Sequence, residues 1–200
     1  MVTTNQTAWI RRMLLASLLC LALTSPGAAE PPPAAGAEAA KAAKAETELV
    51  GPVTREQIES THPEWMQSEV SASPDREAAR GLAAVAPGAE VTIFLGTWCG
   101  DSEREVPRLW RALDEAGGDV PFQIRYVGVD RQKKEPSAPI ANYEIEFVPT
   151  FIVFREGREV GRIVEEAPHG VERDLLDLLS GKARGVLSAS QPGEAAPPSR

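Results

Sequence analysis

Cysteine and histidine are scarce in this 200-residue chain, which carries two of each. Two cysteines cannot make the disulfide framework of a small secreted domain. Nor can they complete a four-ligand zinc site, because His62 and His169 lie far apart and share no ligand spacing with each other or with a cysteine. Basic charge is short as well. With 21 Lys and Arg against 29 Asp and Glu, the net charge is −8, and such a chain lacks the cationic footprint that nucleic acid demands. The longest apolar run, from Met13 to about Leu23, spans about a dozen residues, against roughly 20 for a membrane-crossing helix. No internal repeat is present. What remains is 42% apolar and 25% charged, which suits one modest core with extensions.

The two ends read differently from the middle. Arg11 and Arg12 precede the apolar run, and the small residues Gly27, Ala28 and Ala29 follow it, so residues 1–29 are expected to be an export signal cleaved after Ala29. Such a protein is periplasmic or secreted; an uncleaved, membrane-anchoring signal is the second reading. Cleavage would discard Cys20 and leave Cys99 alone, so no intramolecular disulfide could form. Residues 30–48, rich in Ala and Pro without large apolar side chains, are expected to be a disordered linker, and residues 183–200 a disordered tail. Between them the pattern gives a helical extension over 49–73 and a domain over 74–182.

Thr54 is a plausible N-cap for a short helix from Arg55 to about Ser60, stopped by Pro63. Ser73-Pro74-Asp75 opens a helix reaching about Val85. Val91–Leu95 is a continuous apolar run suited to a strand buried on both faces, and Gly96 and Thr97 lead from it to Trp98 and Cys99. From about Ser102 to Ala116, Val106, Leu109, Trp110 and Leu113 recur at helical spacing, with a kink expected near Pro107. A second strand over Phe122–Val129 ends at Asp130, and a short helix is expected over Ala138–Tyr143. Thr150–Phe154 and Glu159–Val164 form a hairpin around Glu156-Gly157, and Val171, Leu175, Leu176, Leu178 and Leu179 mark a closing helix. This order predicts an α/β fold with a mixed central sheet of about four to five strands and helices on both faces. Trp110 reads as core, and His62 and His169 as surface residues.

Cys99 stands where a buried strand hands over to a helix, so the positive helix end favours its thiolate. Arg104 adds to that, while Asp101, Glu103 and Glu105 oppose it. The plainer fate of a lone cysteine is to serve as a small buried hydrophobe.

Trp98-Cys99-Gly100-Asp101-Ser102 resembles the Trp-Cys-Gly-x-Cys active site of the thioredoxin-like superfamily, with Ser102 in place of the second cysteine. Pro107 falls eight residues after Cys99, as the helix proline of that family does. Val148-Pro149-Thr150 resembles its cis-proline segment, and Asp130 and Gly157 also fit. The likeness runs from about Pro74 to Gly181. It implies that Pro149 is cis and lies beside Cys99, leaving the Val148 backbone free to pair with a substrate strand. Cys99 and Ser102 would then be catalytic, and Trp98, Gly100, Asp101, Val148, Pro149 and Thr150 substrate-binding. The departures shape the expected activity. Ser102 cannot resolve a mixed disulfide, although its hydroxyl could donate to the Cys99 thiolate. Ile93 replaces the family's buried acid, Tyr126 its buried lysine, and Phe147 a residue that is often small, while Glu165 adds negative charge at the rim. The resemblance therefore implies an exported monothiol protein in thiol–disulfide exchange, an oxidoreductase or isomerase without a resolving cysteine. Its partners would be protein thiols or disulfides and an external thiol donor, with no cofactor, metal or nucleic acid. Two alternatives stand beside it: a non-catalytic peptide-binding module, and a monothiol glutaredoxin-like protein, whose Cys-Gly-x-Ser Cys99-Gly100-Asp101-Ser102 also matches.

Overall fold

The computed structural model describes residues 48–189. The expected signal, Cys20, the linker before Glu48 and the tail from residue 190 lie outside the described residues. In chain order the elements are β1 (Gly51–Val53), α1 (Arg55–Thr61), α2 (Glu64–Ser71), α3 (Arg76–Ala83), β2 (Ala89–Leu95), α4 (Gly100–Glu115), β3 (Phe122–Gly128), α5 (Ser137–Tyr143), β4 (Thr150–Arg155), β5 (Arg158–Val164), α6 (Val171–Leu179) and β6 (Gly185–Leu187). The strands form one mixed sheet in the order β1-β3-β2-β4-β5-β6. β2 lies within it, parallel to β3 and antiparallel to β4, and its side chains are buried on both faces of the sheet.

Alternation along β2 divides the interior. Val91, Ile93 and Leu95 join Ile58, Trp65, Leu82, Leu109, Trp110 and Leu175 in the larger cluster, supplied by α1, α2, α3, α4 and α6. Phe94 joins the smaller one with Val129, Ile145, Val148 and Ile152, against which Ile140 and Tyr143 of α5 pack. Local signals fix the joints. Thr54 and Gln57 form a capping box on α1, and the Asp75 carboxylate accepts from Glu77 N and Ala78 N at the start of α3. Glu156 and Gly157, with φ of 53° and 72°, make the tight turn between β4 and β5.

The sheet has six strands rather than four or five. β1 and β6 are three residues each, too short to show a period, and β6 lies within the stretch from 183 assigned above to the tail. α2 falls within the helical extension expected over 49–73 but beyond the helix read as stopped by Pro63: of its eight residues Trp65 alone is buried, while Met66 and Val70 are 51% and 79% exposed. His62, expected at the surface, is buried with its ring 6.5 Å from Trp65, because α1 and α2 fold back onto the core. His169 does sit at the surface, with Nδ1 2.9 Å from Asp174. α4 continues through a buried Pro107. Among the described residues no helix is long and apolar enough to cross a membrane.

Candidate active site

The end of β2 aims the chain at Cys99. After Leu95 it turns through Gly96, Thr97 and Trp98, with Cys99 N donating to Gly96 O at 2.9 Å. Cys99 is the N-cap of α4: its backbone is extended (φ −95°, ψ 124°) and its carbonyl accepts from Glu103 N at 3.0 Å. The sulfur therefore stands at the positive end of a 16-residue helix, half-buried and free of any disulfide. Its thiol donates to Val148 O at 3.3 Å, and the Val148–Pro149 peptide is cis. Thr150 Oγ1 donates to Phe147 O at 2.7 Å and Glu165 N to Pro149 O at 2.8 Å, pinning this segment from both sides. Cys99, Val148 and Pro149 are thus brought together, with Thr150 and Glu165 holding the loop that carries the proline. Phe147, 38% exposed, forms part of the rim.

Trp98 lies back over Gly96, where an added Cβ would come within 2.6 Å of the indole, so a glycine is needed at that position. Its Nε1 donates to Val129 O at 3.0 Å, and the Arg131 guanidinium sits 5.2 Å from the ring centroid. Arg131 is held in turn by Glu48, through Nε to Oε1 at 3.1 Å and through its backbone N to Oε2 at 3.2 Å. Gly100 is exposed, and Asp101 is occupied by Arg104 at 2.9 Å.

Two expectations about hydrogen bonding do not hold. Ser102 is fully buried, and its Oγ accepts from Gly96 N at 3.2 Å instead of donating to Cys99. One turn into α4 its side chain points under the β2–α4 turn, so it braces the backbone beneath the sulfur. Nor is the Val148 backbone wholly free, since its carbonyl is taken by the thiol. Below the site, Ile93 and Tyr126 are register partners on β2 and β3. Burial pushes the Tyr126 phenol up to about 12, against the lowering effect of the Trp110 indole that donates to it at 3.0 Å, so it stays protonated at neutral pH. Ile93 carries no proton to pass, and the pair leaves that position without an acid–base group. Burial also pushes the Glu105 carboxyl up, more than Arg104 at 3.0 Å pulls it down.

The sequence reading singled out neither Glu48 nor Arg131, nor Lys133, which lies against Phe147 with Nζ 5.4 Å from the ring centroid. No spacing rule reaches them. Arg131 and Lys133 follow Asp130 in an irregular loop, and pairing of β1 at the sheet edge brings Glu48 there. Among the described residues no group of three His, Cys, Asp or Glu is placed to hold a metal ion.

No family model matches the chain. Over 90 residues it is 30% identical to a thioredoxin of Staphylococcus epidermidis, a match covering 45% of this chain and 81% of that one. A thioredoxin of Staphylococcus aureus is 29% identical over 93 residues, covering 46% and 84%. Among solved structures, reduced thioredoxin 2 of Pseudomonas aeruginosa is 20% identical with a TM-score of 0.33, covering 56% of this chain and 94% of that one.

Proposed function

The chain belongs to the thioredoxin-like superfamily, and from that premise we propose that it carries out thiol–disulfide exchange through one sulfur, that of Cys99. The Cys99 thiolate attacks one sulfur of a partner disulfide. A bond forms between Cys99 and that sulfur, the partner's own S–S bond breaks, and the second partner sulfur leaves with the electron pair and takes a proton. A further thiolate, from the same partner or an external donor, then attacks the mixed disulfide and releases Cys99. With Ser102 buried and bonded to Gly96, the described residues hold no second cysteine for that step. Isomerisation, or reduction served by an outside thiol, follows from this arrangement. Residues 1–29 suit export, which would place this chemistry in an oxidising compartment.

The observation that carries the reading is the position of the Cys99 sulfur, at the start of α4 and 3.3 Å from the carbonyl that precedes cis-Pro149. Trapping tests it. Purified protein mixed with a disulfide-bonded substrate such as insulin should give a covalent adduct at Cys99, visible by mass spectrometry and absent in Cys99→Ser. Turnover with a dithiol donor should be slow and should rise in Ser102→Cys. An unmodified Cys99 after prolonged exposure would overturn the reading and leave a peptide-binding module.

A further inference from the structure

The loop between β3 and α5, residues 129–136, is built to place cations on the two aromatic residues that flank the site. Asp130 organises it. Its Oδ1 accepts from Lys134 N at 2.6 Å and Glu135 N at 2.8 Å, its carbonyl accepts from Lys133 N at 2.9 Å, and its own N donates to Glu135 O at 3.0 Å. This knot holds Lys133 at φ 53°, a left-handed conformation that lysine rarely adopts. The result is a long side chain thrown toward the β4 side of the site. There Lys133 Nζ donates to Glu146 O and lies over the Phe147 ring. Arg131, from the same loop, covers Trp98.

The two cations differ in what else they touch. Arg131 is ion-paired to Glu48 at 3.1 Å, so its charge is largely spent on fixing the indole. Among the described residues no carboxylate is ion-paired with Lys133, whose polar contact is a neutral carbonyl. Its charge remains available to an incoming group. The opposite side of the site carries Asp101, Glu103, Glu165 and Glu166, with Arg104 paired among them; on the β3–α5 side the Asp130 and Glu135 carboxylates accept from backbone N–H groups of their own segment, so an acidic partner residue meets Lys133 on one side of the sulfur and a run of carboxylates on the other.

We infer that Lys133 selects partner polypeptides that carry an acidic residue close to the reacting cysteine, and that the split rim fixes which side of the cysteine that residue must occupy. This rests on Cys99 being the reacting group. The reach fits. Lys133 touches residues 146 and 147, and the thiol touches the carbonyl of residue 148, so the two contacts fall on backbone positions at most about 7 Å apart, in a segment that bends at residues 147–149. In an extended partner, side chains two residues apart lie on one face at that same spacing, so an acid at that position meets the ammonium when the partner sulfur meets Cys99.

Three peptides test this, each with one cysteine activated as its mixed disulfide with thionitrobenzoate. One has Glu two residues before the cysteine, one has Glu two residues after, and one has Gln at both positions. Attack by Cys99 on the peptide sulfur breaks the bond to thionitrobenzoate, whose release is read by its colour. The leaving group is common to all three, so its own charge cancels. One of the two Glu peptides should react about three- to tenfold faster than the Gln peptide at low salt, with the advantage shrinking at high salt. Lys133→Gln should remove the advantage and Lys133→Glu reverse it. Lys134→Gln, an exposed neighbour, should keep it. Equal rates for the three peptides, or the same ratios in wild type and Lys133→Gln, would overturn the inference while leaving Cys99 as the nucleophile. No colour from any peptide would overturn the reading of Cys99 itself and this inference with it.

Discussion

The two faces of the sheet differ in what they bury. On one, α1, α2, α3, α4 and α6 enclose a continuous core in which Trp65 and Trp110 stand 5.8 Å apart, Trp110 meets Tyr126 edge-on at 6.3 Å, and Arg55 covers Trp110 at 5.0 Å. On the other, five buried residues lie beneath α5, a helix that buries none of its own side chains and has no side-chain cap. Cys99, Val148 and the cation-bearing loop all belong to this thinner side. The contrast divides the labour: the thick face fixes β2 and α4, and the thin face can open around a partner because little packing is lost when it does.

The division breaks most visibly if the thick face is cut. Trp65→Ala should destabilise the protein by about 3–5 kcal/mol in urea unfolding, because a fully buried indole leaves a cavity between α2 and α4. Trp65→Phe should cost much less. The Trp65 Nε1 has no hydrogen-bond partner among the described residues, so the smaller ring gives up no such bond. Where either variant remains folded, the alkylation rate of Cys99 should match wild type. A Cys99 rate that tracked stability would merge the two faces into one unit.

A smaller effect is expected at Glu172, which is fully buried and staples α6 to the rest of the thick face. It takes Arg108 at 2.7 and 2.9 Å and accepts from Asp75 N at 2.8 Å. Burial pushes its carboxyl up, but the bonds from Arg108 and Asp75 outweigh that and hold it below the usual glutamate range. A group depressed on folding stabilises above its unfolded pKa, near 4.3, and that contribution drains away as pH falls through the folded value. Glu172→Gln should therefore cost about 2 kcal/mol at pH 7, discounted because Arg108 is partly exposed. Against pH, the difference between variant and wild type should narrow below about pH 4. Glu105 has the opposite sign: its carboxyl is raised, so its contribution favours low pH and fades as pH rises through the unfolded and then the folded value. Glu105→Gln should gain stability relative to wild type as pH rises over that interval.

How much of this was legible in the sequence follows the same division. β2, α4, β3, the hairpin and α6 each bury a face wide enough to show a period, and they were readable with their order. Cys99 was readable at the end of a buried strand, and Val148-Pro149 through its resemblance to the thioredoxin-like cis-proline segment. β1 and β6 were not, nor was α2 as a helix separate from α1, since each is defined by the neighbour it touches: Val53 pairs with Tyr126, Trp65 packs on Trp110, and Gly185 pairs with Gly161. His62 was misplaced for the same reason. The cations at the rim were invisible because a loop held by Asp130 and a pairing from Glu48 decide where they point, and neither leaves a pattern.

Native-state hydrogen exchange sharpens the contrast more gently. Backbone amides of α5 should exchange at least ~10-fold faster than those in the middle of α4, since opening α5 exposes little buried surface. Equal protection would mean that the site face opens only with the whole molecule.

The smallest effect falls at Ser102, where the faces meet. By position it belongs to the motif, one turn after Cys99; by contact it belongs to the frame, because its Oγ accepts from Gly96 N and not from the thiol. Ser102→Ala leaves that buried N–H without its partner and should cost about 1 kcal/mol in unfolding. The rate at which a small alkylator modifies Cys99, followed against pH, should be unchanged. If the rate profile moved while stability did not, the hydroxyl would be acting on the sulfur in solution. Ser102 would then have to be returned to the thin face, as the group that stabilises the thiolate.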